Sequence, residues 1–141
     1  MKKTMSLLAI AAISFVLISC EKSHKKITFT SQGEKIVGNL YVPKGFSENK
    51  KYDVVIVTGS WTTVKEQMAA NYAKEIAQSN MIALTFDFRN FGESGGKIRN
   101  FESPKDKIED IKSAITYAKG LSFINKDRIF ALGICASSGY M

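Results

Sequence analysis

Short apolar runs recur along most of the chain and are separated by polar turns, a pattern typical of alternating strands and helices. Residues 26–30 and 35–42 alternate apolar and polar positions on either side of a Ser-Gln-Gly-Glu turn, which predicts a β-hairpin. Residues 53–59 and 81–88 are almost continuously apolar, which predicts strands buried on both faces of a sheet. Residues 128–133 predict a last strand of the same kind.

Two longer segments between these strands have the spacing of amphipathic helices. The first covers residues 65–78 and repeats apolar side chains at intervals of four. Its apolar positions are Met68, Tyr72 and Ile76, with Ala69, Ala73 and Ala77 beside them. The second covers residues 104–120, with Ser103 as the N-cap and Pro104 in the first turn. The order β-β-β-α-β-α-β predicts an α/β fold with a mainly parallel sheet.

Residues 1–19 predict a bacterial lipoprotein signal peptide that is not part of the fold. Two lysines precede an apolar stretch of about 14 residues, which is shorter than the roughly 20 needed to span a bilayer. The stretch ends in Leu-Ile-Ser-Cys, which resembles a lipobox, so we expect cleavage before Cys20 and acylation of its thiol. We then expect residues 20–25 to form a tether and the protein to be anchored to a membrane of the bacterial cell envelope, on its periplasmic or surface side. An ordinary secretory signal is the alternative.

Charge and cysteine content narrow the possible partners. The formal net charge is +7 at pH 7, but the lysines are spread thinly and no basic stripe has aromatic residues interleaved, so we expect no nucleic-acid partner. If Cys20 is acylated, Cys135 has no intramolecular partner, which excludes a disulfide framework and a cysteine zinc site. We expect no cofactor and no metal.

The residues around Cys135 predict a reactive turn. The strand over residues 128–133 runs directly into Gly-Ile-Cys-Ala-Ser, where small residues flank a single thiol. A nucleophile elbow has this layout, because a sharp turn from strand to helix exposes one reactive side chain and brings both elements close together. Ser137 is an alternative nucleophile, although that frame loses Gly133 from its place. A buried, inert Cys135 is the remaining alternative.

Four features, in order, resemble the α/β-hydrolase superfamily over about residues 26–141. They are the hairpin followed by a buried strand, the loop over residues 58–62, a segment over residues 86–96 similar to the motif D-[YF]-R-G-x-G-x-S, and the elbow. The subgroup resembles the dienelactone-hydrolase-like and Xaa-Pro-peptidase-like branch, some of whose members use a cysteine nucleophile. The resemblance implies the N-terminal half of this α/β fold, with helices on both faces of the sheet.

The resemblance also implies a role for each candidate site residue. Cys135 attacks the acyl carbon of an ester, thioester or peptide-like acyl substrate, which is a small molecule or a peptide. The backbone N–H of Ala136 stabilises the resulting oxyanion together with the N–H of Ser60 or Trp61. Asp87 orders the loop that follows its own strand.

In this superfamily the acid and the histidine of the triad follow the nucleophile, whereas neither occurs among the six residues after Cys135. The sole histidine, His24, lies in the predicted tether, where we expect it to be solvated. We therefore expect a fragment of a lipid-anchored hydrolase that is truncated after the elbow and inactive alone. The alternatives are a non-catalytic envelope lipoprotein that keeps the fold as a binding surface, and a protein completed by a separate C-terminal half.

Overall fold

The computed structural model describes residues 24–141. Its elements follow the predicted order β-β-β-α-β-α-β and end in a short 3-10 helix. The strands are β1 (His24–Ser31), β2 (Glu34–Tyr41), β3 (Tyr52–Thr58), β4 (Ile82–Phe86) and β5 (Ile124–Gly133). The helices are α1 (Met68–Gln78), α2 (Pro104–Gly120) and the 3-10 helix Cys135–Gly139. The predicted α/β class is confirmed.

The described strands form one sheet in the order β1-β2-β4-β3-β5. The hairpin partners β1 and β2 are antiparallel, and β2 is also antiparallel to β4. Strands β4 and β5 both pair in parallel with β3, so that only β2 runs against the other strands. The carboxyl ends of β3, β4 and β5 therefore lie at the same end of the sheet. An open sheet of this kind presents its functional loops there.

Two hydrophobic cores cover the two faces of this sheet. Helix α2 packs on one face through Ile111, Ala114 and Ala118, against apolar side chains from all five strands. Helix α1 packs on the other face against the side chains of Val55, Val57 and their neighbours. Each aliphatic side chain fully buried in this way contributes about 1.5–3 kcal/mol to stability. The predicted layers, with helices on both faces, are thus present.

The first strand begins earlier than the sequence indicates. His24 and Lys25 belong to β1, so the expectation that the tether extends to residue 25 is wrong at those two positions. The ring of His24 lies against the ring of Tyr41, with centroids 5.1 Å apart, which extends the hairpin pairing to the end of β2. The predicted signal peptide and Cys20 lie outside the described residues. No helix within residues 24–141 has the length and apolarity required to cross a membrane.

Helix α1 begins at Met68, and its expected apolar face is only partly correct. The side chains of Met68 and Tyr72 are exposed, and Ile76 is only partly buried. Of the expected face, the alanines Ala69, Ala73 and Ala77 are buried, and Ala70 joins them. Alanine lets the helix approach the sheet closely, and the larger side chains are displaced to the rim of the contact.

Strand β5 pairs only with β3 among the described residues, so its other side is an open edge of the sheet. Its central residues are exposed, and Phe130 keeps 44% of its surface accessible. Residues 128–133 therefore form a strand as expected, but within the described residues they lack the burial on both faces that the sequence predicts.

The alanine face of α1 is expected to tolerate no larger side chain. Ala73 is fully buried, so Ala73→Leu should overpack the contact with the sheet and lower the free energy of unfolding by about 1–3 kcal/mol. The matched control is Tyr72→Leu, which places the same side chain at an exposed neighbour and should change stability by about 0.5 kcal/mol at most. Urea denaturation measures both. Equal losses in the two variants would contradict the assigned face.

Candidate active site

The chain turns sharply at the carboxyl end of β5, where Cys135 adopts a φ of +59°. Non-glycine residues rarely occupy this left-handed region, and they cluster at sites where the surrounding structure imposes the conformation. The residues from Cys135 to Gly139 then form the 3-10 helix. The side chain of Cys135 is exposed at this turn and is a free thiol.

The turn is tight because the strand and the 3-10 helix approach each other at Gly133. A Cβ atom on Gly133 would lie 2.6 Å from the carbonyl oxygen of Ser137 and 2.7 Å from the Cα of Ser138. Since both obstructing groups are backbone, no side-chain movement relieves the contact. A glycine is therefore required two residues before Cys135 for this turn to form.

Ser137, the alternative nucleophile, has a different environment. Its side chain is buried, and its hydroxyl donates a hydrogen bond of 2.5 Å to the carbonyl oxygen of Gly59. The N–H of Ile134 donates to the carbonyl oxygen of Thr58 at 3.1 Å. These two bonds join the turn at Cys135 to the loop that follows β3.

This loop, residues 59–67, contains the other candidate oxyanion donors. The carbonyl oxygen of Ser60 accepts hydrogen bonds from the N–H and the hydroxyl of Thr63, at 3.2 and 2.7 Å. The side chain of Trp61 is 59% exposed. No acceptor within residues 24–141 binds the backbone N–H of Ser60, Trp61 or Ala136. All three donors are therefore available at the carboxyl ends of the strands, as is the thiol of Cys135.

A buried lysine anchors the far end of this loop. The backbone N–H of Lys65 donates to one carboxylate oxygen of Asp87 at 2.8 Å, and its Nζ donates to the other at 2.8 Å. The same Nζ contacts carboxylate oxygens of Glu93 at 2.6 Å and Glu66 at 2.8 Å. Burial acts to lower the pKa of Lys65, but its hydrogen bonds to Asp87, Glu66 and Glu93 outweigh that effect and raise the pKa. Lys65 is thus held as a cation.

Asp87 also orders the loop that follows its own strand, as the resemblance implied. Its carboxylate accepts the N–H of Glu93 at 2.9 Å, and its carbonyl oxygen accepts the hydroxyl of Ser94 at 2.6 Å. A Cβ atom on Gly92 would lie 2.2 Å from the Asp87 carboxylate, and the φ of Gly92 is +49°. The carboxylate therefore sets the path of this loop through direct contact with its backbone.

A second buried ion pair connects the same loop to α2 and the hairpin. The Arg89 guanidinium donates to the Asp110 carboxylate at 2.9 and 2.7 Å, and to the Ser31 hydroxyl at 2.9 Å. The backbone N–H of Arg89 donates to the other oxygen of the Asp110 carboxylate at 2.9 Å. Asn90 occupies the position of a glycine in the related motif and adopts a φ of +71°, which the motif glycine would also permit.

His24 does not join this group of residues. It lies on β1, at the opposite edge of the sheet from β5. Four strand spacings of roughly 4.8 Å separate the two edges, or about 19 Å across the sheet. Within residues 24–141, no group of three His, Cys, Asp or Glu side chains is arranged to hold a metal ion.

The roles of Lys65, Glu66 and Glu93 could not be predicted from the sequence. The adjacent opposite charges of Lys65 and Glu66 resemble an ordinary solvated helix start, and Lys65 lies where we expected helix α1 to begin. The only sequence signal for their role is Asp87, whose loop-ordering function implies an unidentified donor.

The Glu93 carboxylate is expected to make stability depend on pH. Hydrogen bonds from Lys26 and from Lys65 lower the pKa of Glu93 to about 2 in the folded protein, below its ordinary 4.5. The stabilisation is therefore fully present above about pH 4.5 and is lost as the pH falls toward about 2. Urea midpoints of the wild type and Glu93→Gln should differ most above about pH 5 and converge on acidification. The control Glu48→Gln alters an exposed acid and should show a constant gap. A constant gap for Glu93→Gln as well would refute the assignment.

Comparison with known proteins identifies relatives but no matching family model. The uncharacterized protein YcjY of Escherichia coli (strain K12) is 35% identical over 120 residues, which cover 83% of this chain and 39% of YcjY. A thiohydrolase of Eupenicillium brefeldianum is 30% identical over 93 residues, which cover 66% of this chain and 30% of that protein. The relatives thus include a named hydrolase.

Two solved structures give the same result for the fold. The hypothetical protein PA2218 from Pseudomonas aeruginosa is 32% identical and superposes with a TM-score of 0.78 over 97% of this chain and 43% of its own. The α/β-hydrolase GrgF from Penicillium sp. sh18 is 21% identical, with a TM-score of 0.76 over 83% of this chain and 39% of its own. The chain spans less than half the length of each of these four proteins. By its sheet and by these similarities, the chain has the fold of the α/β-hydrolases.

Proposed function

We propose that the chain is part of a hydrolase that cleaves ester, thioester or peptide-like acyl substrates through Cys135. The observation that carries this proposal is the conformation of Cys135, an exposed thiol at a φ of +59° directly after a parallel strand. A strained backbone at this point costs about 1–3 kcal/mol, which a purely structural thiol does not require. The turn presents the sulfur to solvent at the carboxyl ends of the parallel strands, where the loops after β3 and β4 also begin.

The reaction follows the usual course for a thiol nucleophile. The thiolate of Cys135 adds to the acyl carbon, and the carbonyl oxygen becomes an oxyanion. The N–H of Ala136 and the N–H of Ser60 or Trp61 donate to that oxyanion. The intermediate collapses to a thioester on Cys135 as the alcohol, thiol or amine leaves with a proton. Water then adds to the thioester, the acid is released, and the proton returns to the thiol.

The environments of the two candidate nucleophiles favour Cys135 over Ser137. The Ser137 hydroxyl is buried and already donates to the Gly59 carbonyl, so an attack from that oxygen requires a bond to break first. The Cys135 thiol is accessible from solvent without any rearrangement. Ser137 instead connects the turn to the loop that carries Ser60 and Trp61.

The proposed reaction needs a base and an acid that orients it. No imidazole lies near Cys135 within the described residues, because His24 is at the far edge of the sheet. We therefore propose that residues outside this range supply both groups, on the same polypeptide or on a separate C-terminal half. The chain alone is then expected to accept an acyl group from an activated substrate without completing rapid turnover.

The substrate class follows from the nucleophile and from one relative. The name thiohydrolase, carried by the Eupenicillium brefeldianum relative, favours a thioester among the three acyl classes. A cysteine nucleophile exchanges acyl groups with a thioester directly, because the bond broken and the bond formed are of the same kind. Binding of the remainder of the substrate is left to loops beyond those described.

Acyl capture at Cys135 tests this proposal. The background is Cys20→Ser, which leaves Cys135 as the one thiol of the chain. After incubation with p-nitrophenyl acetate, intact-mass spectrometry should show a single acetyl group that neutral hydroxylamine removes, as expected of a thioester. Cys135→Ala should abolish it.

Two outcomes would overturn the assignment of the nucleophile. One is an adduct that persists in Cys135→Ala. The other is a hydroxylamine-resistant ester that peptide fragmentation locates on Ser137.

We also propose that Cys20 anchors the protein to a membrane of the bacterial cell envelope. The support is the lipobox-like sequence Leu-Ile-Ser-Cys after a short apolar stretch. The tether from Cys20 to the start of β1 is then only four residues long. The hydrolase domain is thereby held close to the membrane surface, since four residues span at most about 14 Å.

Metabolic labelling tests the anchor. Expression of the full chain in a bacterium fed an alkyne fatty acid should label the wild type, and Cys20→Ala should remove the label and release the protein from the membrane fraction. Cys135→Ala is the matched cysteine control and should remain labelled. Labelling that survives Cys20→Ala would disprove the anchor.

A further inference from the structure

Lys65 is one of the most deeply buried charged residues in the described chain, and the proposed reaction does not use it. Its side chain is 1% exposed, and its ammonium group contacts three carboxylates, from Asp87, Glu93 and Glu66. Its backbone N–H is bound to the same Asp87 carboxylate as its side chain. One acid thus holds this residue at two points, which fixes both the position and the direction of the backbone there.

Loop 59–67 is consequently fixed at both ends. At its start, the hydroxyl of Ser137 holds the carbonyl oxygen of Gly59. At its end, Asp87 holds Lys65. Between these points lie Ser60 and Trp61, whose N–H groups remain free of any acceptor within the described residues. Oxyanion donors act only when they are held rigidly toward the site where charge develops.

We propose that Lys65 is a positioning residue that holds loop 59–67 so that its free N–H groups face the oxyanion formed at Cys135. The inference rests on the proposed function of Cys135 as the acyl acceptor. Lys65 itself touches neither the substrate nor the reacting sulfur. It acts through Asp87, which is fixed in turn at the end of β4.

The charge of Lys65 is as important as its hydrogen bonds. Without the ammonium, the buried Asp87 carboxylate has no cation beside it, and of its acidic neighbours Glu66 and Glu93 only Glu93 keeps one, the exposed Lys26. Such an uncompensated buried charge costs several kcal/mol, and the exposed loop can relieve it by moving away. Lys65→Met keeps the length of the side chain and removes the charge, so it is expected to release the loop.

Two reactions of the same thiol separate loop positioning from general damage. Acetylation by p-nitrophenyl acetate passes through an oxyanion, whereas alkylation by iodoacetamide is a displacement at saturated carbon and forms none. Both reactions use the thiolate, so the ionised fraction of the thiol cancels in the ratio of the acetylation rate to the alkylation rate at one pH. Divided by the same ratio for glutathione, which has no oxyanion donors, this ratio measures how strongly the surroundings of Cys135 favour the reaction that forms an oxyanion.

In the Cys20→Ser chain we expect a ratio well above that of glutathione. Lys65→Met should lower it by about tenfold or more, since the loss of a single oxyanion donor typically costs 10²–10³ in rate. Lys65→Arg keeps the charge and should restore part of the ratio. The matched control is Arg89→Met, which breaks the other buried ion pair of the same loop on the opposite side and should leave the ratio unchanged.

The outcomes distinguish the two proposals. A wild-type ratio equal to that of glutathione would refute the oxyanion site itself. A high wild-type ratio that Lys65→Met leaves intact, or that Arg89→Met lowers equally, would refute the role of Lys65. If circular dichroism shows that Lys65→Met is unfolded, Glu93→Gln is tested in its place. Glu93 is half-exposed, and its substitution removes only one of the three carboxylates that contact Lys65. It should lower the ratio about threefold, and an unchanged ratio would overturn the inference.

Discussion

The carboxylate of Asp87 lies fully buried at the carboxyl end of β4, where it accepts hydrogen bonds from two different loops. Two bonds come from Lys65 after β3, and the third comes from the backbone of Glu93 after β4. A buried carboxylate is stable only when it is paired and hydrogen-bonded, so Asp87 requires these contacts. Both loops therefore depend on the same charge, and removing one partner of such a pair costs about 3–5 kcal/mol.

Hydrogen bonds rather than apolar contacts determine the geometry of the loops at the carboxyl ends of β3, β4 and β5. Side chains of Ser137 and Asp87 hold the two ends of loop 59–67, through a part-buried bond to Gly59 and a buried bond from Lys65. Such bonds are directional, whereas a hydrophobic contact between a loop and a sheet permits sliding. A site that must aim backbone N–H groups needs this kind of support, since small displacements of catalytic groups carry large losses in rate.

Much of the fold can be predicted from the sequence because its strongest signals are local. Almost continuously apolar runs identify β3 and β4 as buried, and the spacing of Gly133 from Cys135 identifies the turn. The buried face of α1 could be predicted only in part, because hydrophobicity ranks Met68 and Tyr72 above alanine. The distance between helix and sheet decides that choice, and it depends on the whole assembly.

The burial of Lys65 could not be predicted from the sequence for a related reason. Lysine is almost never fully buried, so a lysine beside a glutamate is taken to be a solvated pair. Its burial requires Asp87 and Glu93, which lie 22 and 28 residues further along the chain. Only the parallel pairing of β3 with β4 brings these groups together. Contacts of this type depend on sheet order, which a local pattern does not encode.

The same loop after β4 carries two buried ion pairs, which stability alone does not explain. Lys65 and Asp87 lie on one side of it, and Arg89 and Asp110 lie on the other. Apolar residues of similar volume often replace a buried ion pair with no loss of stability. An apolar pair, however, could not bind the backbone N–H groups of Lys65 and Arg89, which the two carboxylates also accept. Each acid therefore fixes the course of the main chain as well as a side chain, and this accounts for charged groups where an apolar core would be expected.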